Sequence, residues 1–219
     1  MDKRNLSILV YLALLIGTII YARSVNLNLP GVHEGYAPDQ PIKFSHRLHS
    51  GDLNIQCLYC HTGADRSRHA GIPSANICMN CHKFITARWD SVKIEEQLAE
   101  QEKREPRFLV SVELNKLYQA VGYDPQTFTY QDGKESATPL RWIRVYDLPD
   151  FVYFDHRRHV NAGVTCERCH GQVNTMERIV QVPDLTMGWC VNCHRDVNRG
   201  NIPELKGRFA SITCAVCHY

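Results

Sequence analysis

The stretch Cys57-Leu58-Tyr59-Cys60-His61 decides the fold of this chain, because its Cys-x-x-Cys-His pattern occurs five times and uses every cysteine. The pattern is that of covalent haem c attachment, in which two thiols bind the porphyrin and the next histidine ligates its iron. The sequence therefore predicts five covalently bound c-type haems and no disulfide. In chain order, the first to fifth sites comprise Cys57, Cys60 and His61; Cys78, Cys81 and His82; Cys166, Cys169 and His170; Cys190, Cys193 and His194; and Cys214, Cys217 and His218.

Three other uses of paired cysteines explain the pattern less well. A zinc ribbon also contains paired Cys-x-x-Cys, but it does not require a histidine directly after each second cysteine. A disulfide framework would not keep all pairs at one short spacing. A thioredoxin-like site would use a single pair on a βαβ unit.

The length of 219 residues would ordinarily indicate one or two domains. Five porphyrins would supply much of the apolar core, so we expect a multihaem cytochrome c that is mostly irregular, with short α-helices packed around five haems. The formal charge of +2 becomes about −8 in the reduced holoprotein once ten propionates are included, and about −3 in the oxidised holoprotein, where each of five ferric porphyrins adds one positive charge. That balance argues against a nucleic-acid partner.

The N-terminus carries an uncharged apolar run from Leu6 to Ala22, which follows Lys3 and Arg4. The run reaches the lower limit for a membrane span and exceeds the usual core of a cleavable signal. We therefore expect a retained single transmembrane helix. The two basic residues favour a cytoplasmic N-terminus, with the haem-binding part outside the inner membrane.

The motif F-x-H-R-x-H occurs twice, as Phe44 to His49 and Phe154 to His159, each within about ten residues of an attachment site. The chain is thus predicted to contain two two-haem units and an additional terminal haem. A segment without cysteine or histidine separates the two two-haem units. We expect helices at 91–104 and 108–120 and an extended course at 138–154. The segment is either a spacer between the units or a docking surface for a partner. The expected divisions are 1–23 anchor, 24–41 linker, 42–84 first unit, 85–150 insertion and 151–219 three-haem unit.

Each iron of a low-spin electron carrier needs a second axial ligand in addition to the histidine of its motif. The two histidines of each F-x-H-R-x-H motif are three residues apart and neighbours on one helical turn, for which Ser45 and Asp155 are natural N-caps. Because each iron already has one histidine, each pair should serve two different irons. The predicted second ligands are His46, His49, His156, His159 and His69.

Three further side chains compete for the fifth place. His33 lies in a segment rich in proline and glycine and is expected to be a surface residue. Met176 or Met187 could ligate one iron and raise its potential, or could simply pack against a porphyrin edge.

The order F-x-H-x-x-H followed by Cys-x-x-Cys-His resembles the class III multihaem cytochromes. Three connecting segments narrow the resemblance to the pentahaem cytochrome c subunit of bacterial alternative complex III: Gly35-Tyr36-Ala37-Pro38, residues 67–74 (SRHAGIPS) and residues 142–149 (WIRVYDLP). The resemblance extends over nearly the whole chain. This chain ends one residue after His218, whereas members of that family often have longer C-terminal tails, so what covers the fifth site stays open.

The resemblance implies a single N-terminal membrane helix and a place in a respiratory complex that oxidises quinol. In such a complex the electrons come from an iron–sulfur subunit or integral membrane quinol-binding subunits and pass to a monohaem cytochrome c or a terminal oxidase. The chain would then be an electron carrier and not itself an enzyme. Two alternatives stay open, a self-contained membrane-anchored quinol dehydrogenase and a multihaem reductase. The reductase would need an iron with a free coordination position, for which the spare histidines leave little room.

Overall fold

Short helices form wherever a Cys-x-x-Cys-His motif occurs in the computed structural model, which describes residues 3–24, 33–131 and 138–219. A helical turn suits the motif because residues i, i+3 and i+4 lie on one face, so both thiols and the imidazole point to the same side. The helices that contain motif residues are α2 (Cys57–Cys60), α3 (Ala75–His82), α7 (Glu167–His170), α8 (Met187–Arg199) and α9 (Cys214–Cys217). The expectation of short helices with irregular connections agrees with this architecture.

The N-terminal helix α1 (Lys3–Ser24) contains the one stretch of the described residues that is long and apolar enough to cross a membrane. This stretch, Arg4–Ala22, has 19 residues, a mean hydropathy of 2.0, and no part of it buried against the rest of the chain. At 1.5 Å per residue it is about 28 Å long, close to the thickness of the hydrocarbon core. A signal sequence has the same length and composition, so this helix is a candidate membrane span.

The segment between the two units contains helices α4 (Trp89–Glu102) and α5 (Val112–Val121) and a two-stranded antiparallel hairpin, β1 (Tyr123–Asp124) with β2 (Thr129–Tyr130). Helix α4 begins and ends two residues earlier than predicted, and its early end is explained by Lys103, which adopts the left-handed conformation with φ 52°. Helix α5 begins four residues later than predicted, because the Ser111 hydroxyl accepts the Leu114 N–H and caps it there. It ends at Gly122, whose φ of 65° suits glycine.

Helix α5 packs against α3 and thereby joins the insertion to the second attachment site. Met79, Leu117, Tyr118 and Tyr123 form a buried cluster, and the Tyr118 hydroxyl donates to the carbonyl of His82 at 2.7 Å. The insertion is therefore not an independent module. A second cluster of Val197, Ile202 and Leu205 lies behind α8.

The two haem-binding units contact each other through their F-x-H-R-x-H segments, which form a π-helical turn (Arg47–Asp52) in the first unit and helix α6 (His156–Asn161) in the second. The Arg47 N–H donates to the Met176 carbonyl at 2.9 Å, and its guanidinium pairs with Glu177 at 2.5 Å. Gly51 lies so close to the 3₁₀ turn Val173–Thr175 that a Cβ there would come within 2.3 Å of a carbonyl oxygen. Any side chain at residue 51 would therefore push the units apart.

The stretch 138–154, predicted to be extended, forms no regular strand: it bends at Tyr146 and turns before Val152, whose N–H donates to the Pro149 carbonyl at 2.9 Å. Its contribution to the fold is one isolated antiparallel bridge between Val152 and His218, next to a hydrogen bond from the Tyr153 N–H to the Cys217 carbonyl at 2.7 Å. Pairing with this stretch fixes the fifth site, which lies near the end of the chain. A second 3₁₀ turn (Pro203–Leu205) follows α8.

Candidate haem-binding sites

Each F-x-H-R-x-H segment holds its two imidazoles around one phenylalanine. In the first segment the Phe44 ring meets His46 edge-on, with centroids 4.9 Å apart at 85°, and stacks on His49 at 4.4 Å and 26°. In the second segment Phe154 meets His156 at 4.8 Å and 86° and stacks on His159 at 4.6 Å and 26°. The two imidazoles of a pair therefore leave the backbone in different, defined directions, which suits ligation of two different irons.

Six of the motif and repeat histidines have their Nδ1 atom fixed by a backbone carbonyl. Because a carbonyl oxygen only accepts, Nδ1 must carry the proton in each of these hydrogen bonds, and Nε2 is left with its lone pair for a metal. Backbone carbonyls thus set the tautomer that iron ligation needs; they are local in the chain for His49, His82 and His159 and more distant for the other three. The bonds run from His49 to Ser45 (2.9 Å), His61 to Gly71 (2.7 Å), His82 to Ile85 (2.9 Å), His156 to Arg68 (3.0 Å), His159 to Asp155 (2.9 Å) and His194 to Ser211 (2.6 Å).

Three histidines of the repeats face the histidine of an attachment site across a gap of nearly constant width. The ring centroids are 6.1 Å apart for His49 and His82, 6.4 Å for His156 and His170, and 6.2 Å for His159 and His194. Two imidazole nitrogens that each lie about 2 Å from one metal ion place their ring centres roughly 6 Å apart. These three pairs therefore fit an iron held between two histidines.

His46 is the remaining member of the repeats and lies beside the histidine of the first site. Burial is the main cause that lowers the pKa of His46 to about 4, and the neighbouring rings of His61, His49 and His170 contribute to this shift in that order. Burial likewise lowers the pKa of His170 to about 4, with His156 and His61 as the next causes. A buried, neutral imidazole is the form that ligates a metal, because protonation would occupy the lone pair.

The fifth site differs from the second, third and fourth sites, since within the described residues no histidine ring faces His218 at a comparable separation. His218 instead stacks on Phe151, with centroids 5.8 Å apart at 27°. The candidate fifth ligand His69 is exposed on the loop before α3, and His33 is exposed beside a cavity formed with Asp147–Asp150. Met187 is 69% exposed at the start of α8, and Met176 is half-buried at the contact between the units.

Exposed apolar side chains lie between the cysteines of the first and fifth sites, where a porphyrin plate could cover them. Leu58 and Tyr59 lie between the first pair of cysteines, and Val216 lies between the last pair; all three are exposed. Burial raises the pKa of the Cys169 thiol to about 11, with the Cys193 and Cys190 thiols as the next causes. The donor set, the free Nε2 atoms and the apolar surroundings all fit covalently bound haem.

Sequence reasoning missed several aromatic side chains that position these groups. Phe44 and Phe154 belonged to the repeated motif, so their recurrence in both repeats was the available signal. Tyr146 was visible only as one of several aromatic residues; its ring lies 4.3 Å from that of His170, and its hydroxyl donates to the Val180 carbonyl at 3.1 Å. Its role depends on a contact between segments that are far apart along the chain, which no local pattern indicates.

Two comparisons with known proteins agree with this geometry. Residues 152–219 match the family described as cytochrome c7 and related cytochrome c. Over 200 residues, the chain is 23% identical to the "Menaquinone reductase, multiheme cytochrome c subunit" of Nitratidesulfovibrio vulgaris (Hildenborough), covering 82% of this chain and 77% of the relative. The last third of the chain is thus similar to cytochrome c7 domains and most of the chain to a multihaem cytochrome c subunit, which agrees with the attachment motifs and with a role as an electron carrier.

Proposed function

We propose that this chain is the pentahaem electron-transfer subunit of a membrane respiratory complex that exchanges electrons with the quinone pool. The observation that carries the proposal is the set of opposed histidine pairs, three of which have ring centroids 6.1 to 6.4 Å apart. Iron held between two imidazoles has no open position for substrate, so such sites suit electron transfer and not turnover. The bound haems supply the redox change, and the protein supplies their ligands, orientation and surroundings.

The proposed ligand pairs follow from these contacts. The first four sites would use His61 with His46, His82 with His49, His170 with His156, and His194 with His159. For the fifth site we propose His69 opposite His218. Hydrogen bonds join residues 67–68 to 156–157 and residues 152–153 to 217–218, and the connecting strand between residues 153 and 156 is at most about 11 Å long.

Arg68 strengthens the argument for His69 as the fifth ligand. Its guanidinium lies over the Tyr153 ring at 4.5 Å and donates to the Phe154 carbonyl at 3.2 Å. These contacts hold the residue next to His69 against the same strand that pairs with the fifth site. Such a bond would join the first unit to the last through iron.

Ligand substitutions test this assignment. His69→Ala should convert one of five haems from six-coordinate low-spin to high-spin, seen in the visible and EPR spectra of the purified protein. His33→Ala is the matched control, since both side chains are exposed, and it should leave all five haems low-spin. If His33→Ala produces the high-spin signal and His69→Ala does not, the fifth ligand is His33.

The number of haems is tested separately. The mass of the denatured mature protein should exceed that of the polypeptide by five covalently bound haems. A mass that corresponds to four or fewer on the mature protein would contradict the proposed count.

The proposed setting is the inner membrane, with α1 as a single-pass anchor and the haem-binding part on the periplasmic side. An alternative-complex-III-like assembly would oxidise quinol and pass electrons to a periplasmic cytochrome c or an oxidase. The partners would be an iron–sulfur subunit and integral membrane quinol-binding subunits. The curated relative is named a menaquinone reductase, which implies the opposite direction of flow. A chain of low-spin sites conducts in both directions, so the partners would set the direction.

The insertion is the proposed contact with a partner. The side chains of α4 are largely exposed, with Ala99 the buried exception, and Phe84, Trp89 and Phe128 expose 73%, 72% and 54% of their surfaces nearby. Exposed aromatic groups beside charged ones are typical of interfaces. Removing residues 91–120 would be a poor test, because Leu117 and Tyr118 in that range form a core with Met79 of the second site.

Surface substitutions test the contact more cleanly. The double variant Phe84→Ser and Trp89→Ser should release the chain from its complex during gentle membrane extraction and native mass measurement, with unchanged haem spectra. Phe209→Ser is the matched control, since Phe209 is 83% exposed in the other unit and should leave the complex intact. Retention of the double variant in the complex would refute the proposed contact.

The alternative function is a self-contained quinol dehydrogenase, favoured by the candidate span α1. One helix offers little space for a quinol pocket, since its apolar stretch is only about 28 Å long and surrounded by lipid. The two functions are distinguished by assay of the purified chain. A monomer that oxidises menaquinol at physiological rates would establish the alternative.

A further inference from the structure

The five attachment sites are not neighbours in the order of the sequence. The first and second sites touch through the middle of their motifs, where the Asn80 side-chain amide donates to the Tyr59 hydroxyl at 3.0 Å. The Cys60 thiol also has Cys78 and Cys81 of the second site as electrostatic neighbours. The first two sites therefore form one contiguous pair.

The first site also touches the third site, across the contact between the two units. The His156 N–H of the second unit donates to the Arg68 carbonyl of the first at 3.1 Å, and, after burial, the Cys57 thiol is among the causes that raise the pKa of the Cys166 thiol. The contact rests on the packing of the π-helical turn against the 3₁₀ turn, with Gly51 at its closest point. The fold thus brings together two sites whose motifs lie on either side of the insertion in the sequence.

The last three sites continue from the third in chain order. Helix α6 joins the third and fourth sites, because its His156 faces His170 at a centroid separation of 6.4 Å and its His159 faces His194 at 6.2 Å. After burial, the Cys217 thiol of the fifth site is among the causes that raise the pKa of the Cys190 thiol. The His194 imidazole donates to the Ser211 carbonyl at 2.6 Å, which fixes the segment before the fifth motif against the fourth site.

We propose that the attachment sites form one unbranched line in the order second, first, third, fourth, fifth, with the fifth site at the membrane end and the second site at the outer end. This inference rests on the proposed function for the presence of five haems, and it adds their order and polarity. Each transfer along the line would move one electron from a ferrous iron to the ferric iron beside it, and no bond would form or break. The quinol proposed above is the reductant when the complex oxidises quinol.

The polarity follows from where the anchor joins the haem-binding part. The described chain resumes at His33, which lines a cavity of about 260 Å³ with Asp147–Asp150. The Asp150 carbonyl accepts a hydrogen bond from the hydroxyl of Tyr219, the residue after His218. The chain from Ser24 to His33 can span at most about 30 Å, so α1 ends within that distance of His33 and of the fifth-site residues near it.

The second site lies at the opposite end and is covered by the insertion. The Tyr118 hydroxyl binds the His82 carbonyl, and the Tyr123 hydroxyl binds the Lys83 carbonyl at 3.1 Å. An electron that reaches the second site therefore arrives directly beneath the surface proposed to contact a partner.

Electron microscopy of the holoprotein, extracted from membranes with its partners, tests the order and the polarity without any substitution. The shortest path through the five irons should run second, first, third, fourth, fifth, and the iron bound by His218 should lie nearest the detergent belt. An iron of the second site at the belt, or a shortest path through the five irons in any other order, would overturn the inference. If the chain proves to be a monomeric dehydrogenase, the proposed function fails while the measured order still stands or falls by itself.

Ligand variants provide a second test in solution. His49→Met and His159→Met should each raise the potential of one haem, so that it is reduced first. In the proposed line, the second site has one neighbour and the fourth has two. Reduction of the altered haem should therefore shift the paramagnetic NMR resonances of one other haem in His49→Met and of two in His159→Met. Two shifted neighbours in His49→Met would contradict a terminal position for the second site.

Discussion

The two F-x-H-R-x-H segments reach the same side-chain arrangement from different backbones. Residues 47–52 form a π-helical turn, whereas residues 156–161 form an α-helix. Even so, the two phenylalanine–histidine stacks have nearly equal centroid separations, 4.4 Å and 4.6 Å, and share an angle of 26°. The comparison teaches that the phenylalanine, together with histidines three residues apart, sets the directions of the imidazoles, and that the type of helical turn is secondary.

The same comparison reveals differences that come from outside the repeats. The Nδ1 atom of His156 donates to the Arg68 carbonyl of the other unit, whereas the Nδ1 atom of His46 is buried without a hydrogen-bond partner. The angle between the two imidazole planes of a proposed ligand pair also differs. It is 60° for His49 with His82 and 36° for His159 with His194. Identical local motifs therefore acquire different surroundings from the tertiary contacts between the units.

The largest effect is expected from removal of equivalent ligands. His46→Ala and His156→Ala should each convert one haem of five from low-spin to high-spin, because each iron then loses one of its two imidazoles. Visible absorption and EPR spectra of the oxidised proteins measure the change, and each variant serves as the control for the other. If both variants keep five low-spin haems, these histidines are not ligands, and the two repeats do not share a ligating role.

Replacement of the central phenylalanines should have the next largest effect. Phe44→Leu and Phe154→Leu each remove one stacked and one edge-on contact with histidine, so each should lower the free energy of unfolding by about 1–3 kcal/mol. The two losses should be similar, since the two sets of contacts are. Denaturant unfolding measures them, with the exposed Phe209→Leu as a control expected to change stability by about 0.5 kcal/mol or less. A neutral result for only one repeat would show that the phenylalanines are not equivalent.

A smaller effect is expected at the residue before each pair. The Ser45 hydroxyl accepts the Leu48 N–H at 3.0 Å and caps the helical turn, as predicted. Ser45→Ala should therefore lower the free energy of unfolding by about 1 kcal/mol. Asp155 was predicted to cap its helix but forms no such hydrogen bond, because its carboxylate pairs with Arg157 at 2.8 Å. Asp155→Ser would supply the cap of the first repeat and should change stability by about 0.5 kcal/mol or less. Thermal unfolding decides the point; a larger cost for Asp155→Ser would show that the ion pair stabilises the second repeat.

The smallest effect is spectroscopic and leaves stability unchanged. When the planes of two ligating imidazoles approach a right angle, the iron d orbitals are split least and the low-spin EPR signal is most anisotropic. The second site has the larger angle between its imidazole planes, so it should give a more anisotropic low-spin EPR signal than the fourth site. This signal should disappear in His49→Ala and persist in His159→Ala. Disappearance in His159→Ala instead would mean that the two pairs have exchanged their geometries.

Local patterns predicted the helices of the insertion to within a few residues at each end. The discrepancies arose at Lys103 and Ser111, where a left-handed residue and a capping hydroxyl moved the ends of α4 and α5. The hairpin β1–β2 was missed because two-residue strands carry too little alternation to be recognised. The prediction that His69 serves an iron stays a prediction, although the strand contacts of Arg68 bring it towards the fifth site.

The sequence by itself determined the attachment chemistry, the two histidine repeats and the apolar N-terminal helix, because each depends on residues close together along the chain. A helical turn places both thiols and the imidazole of a motif on one side wherever the motif occurs. The tertiary structure alone decided which histidines face each other, which thiols meet and where the insertion packs. Those outcomes depend on contacts such as Gly51 with the 3₁₀ turn and Tyr118 with His82, between segments far apart along the chain, and no local spacing specifies such contacts.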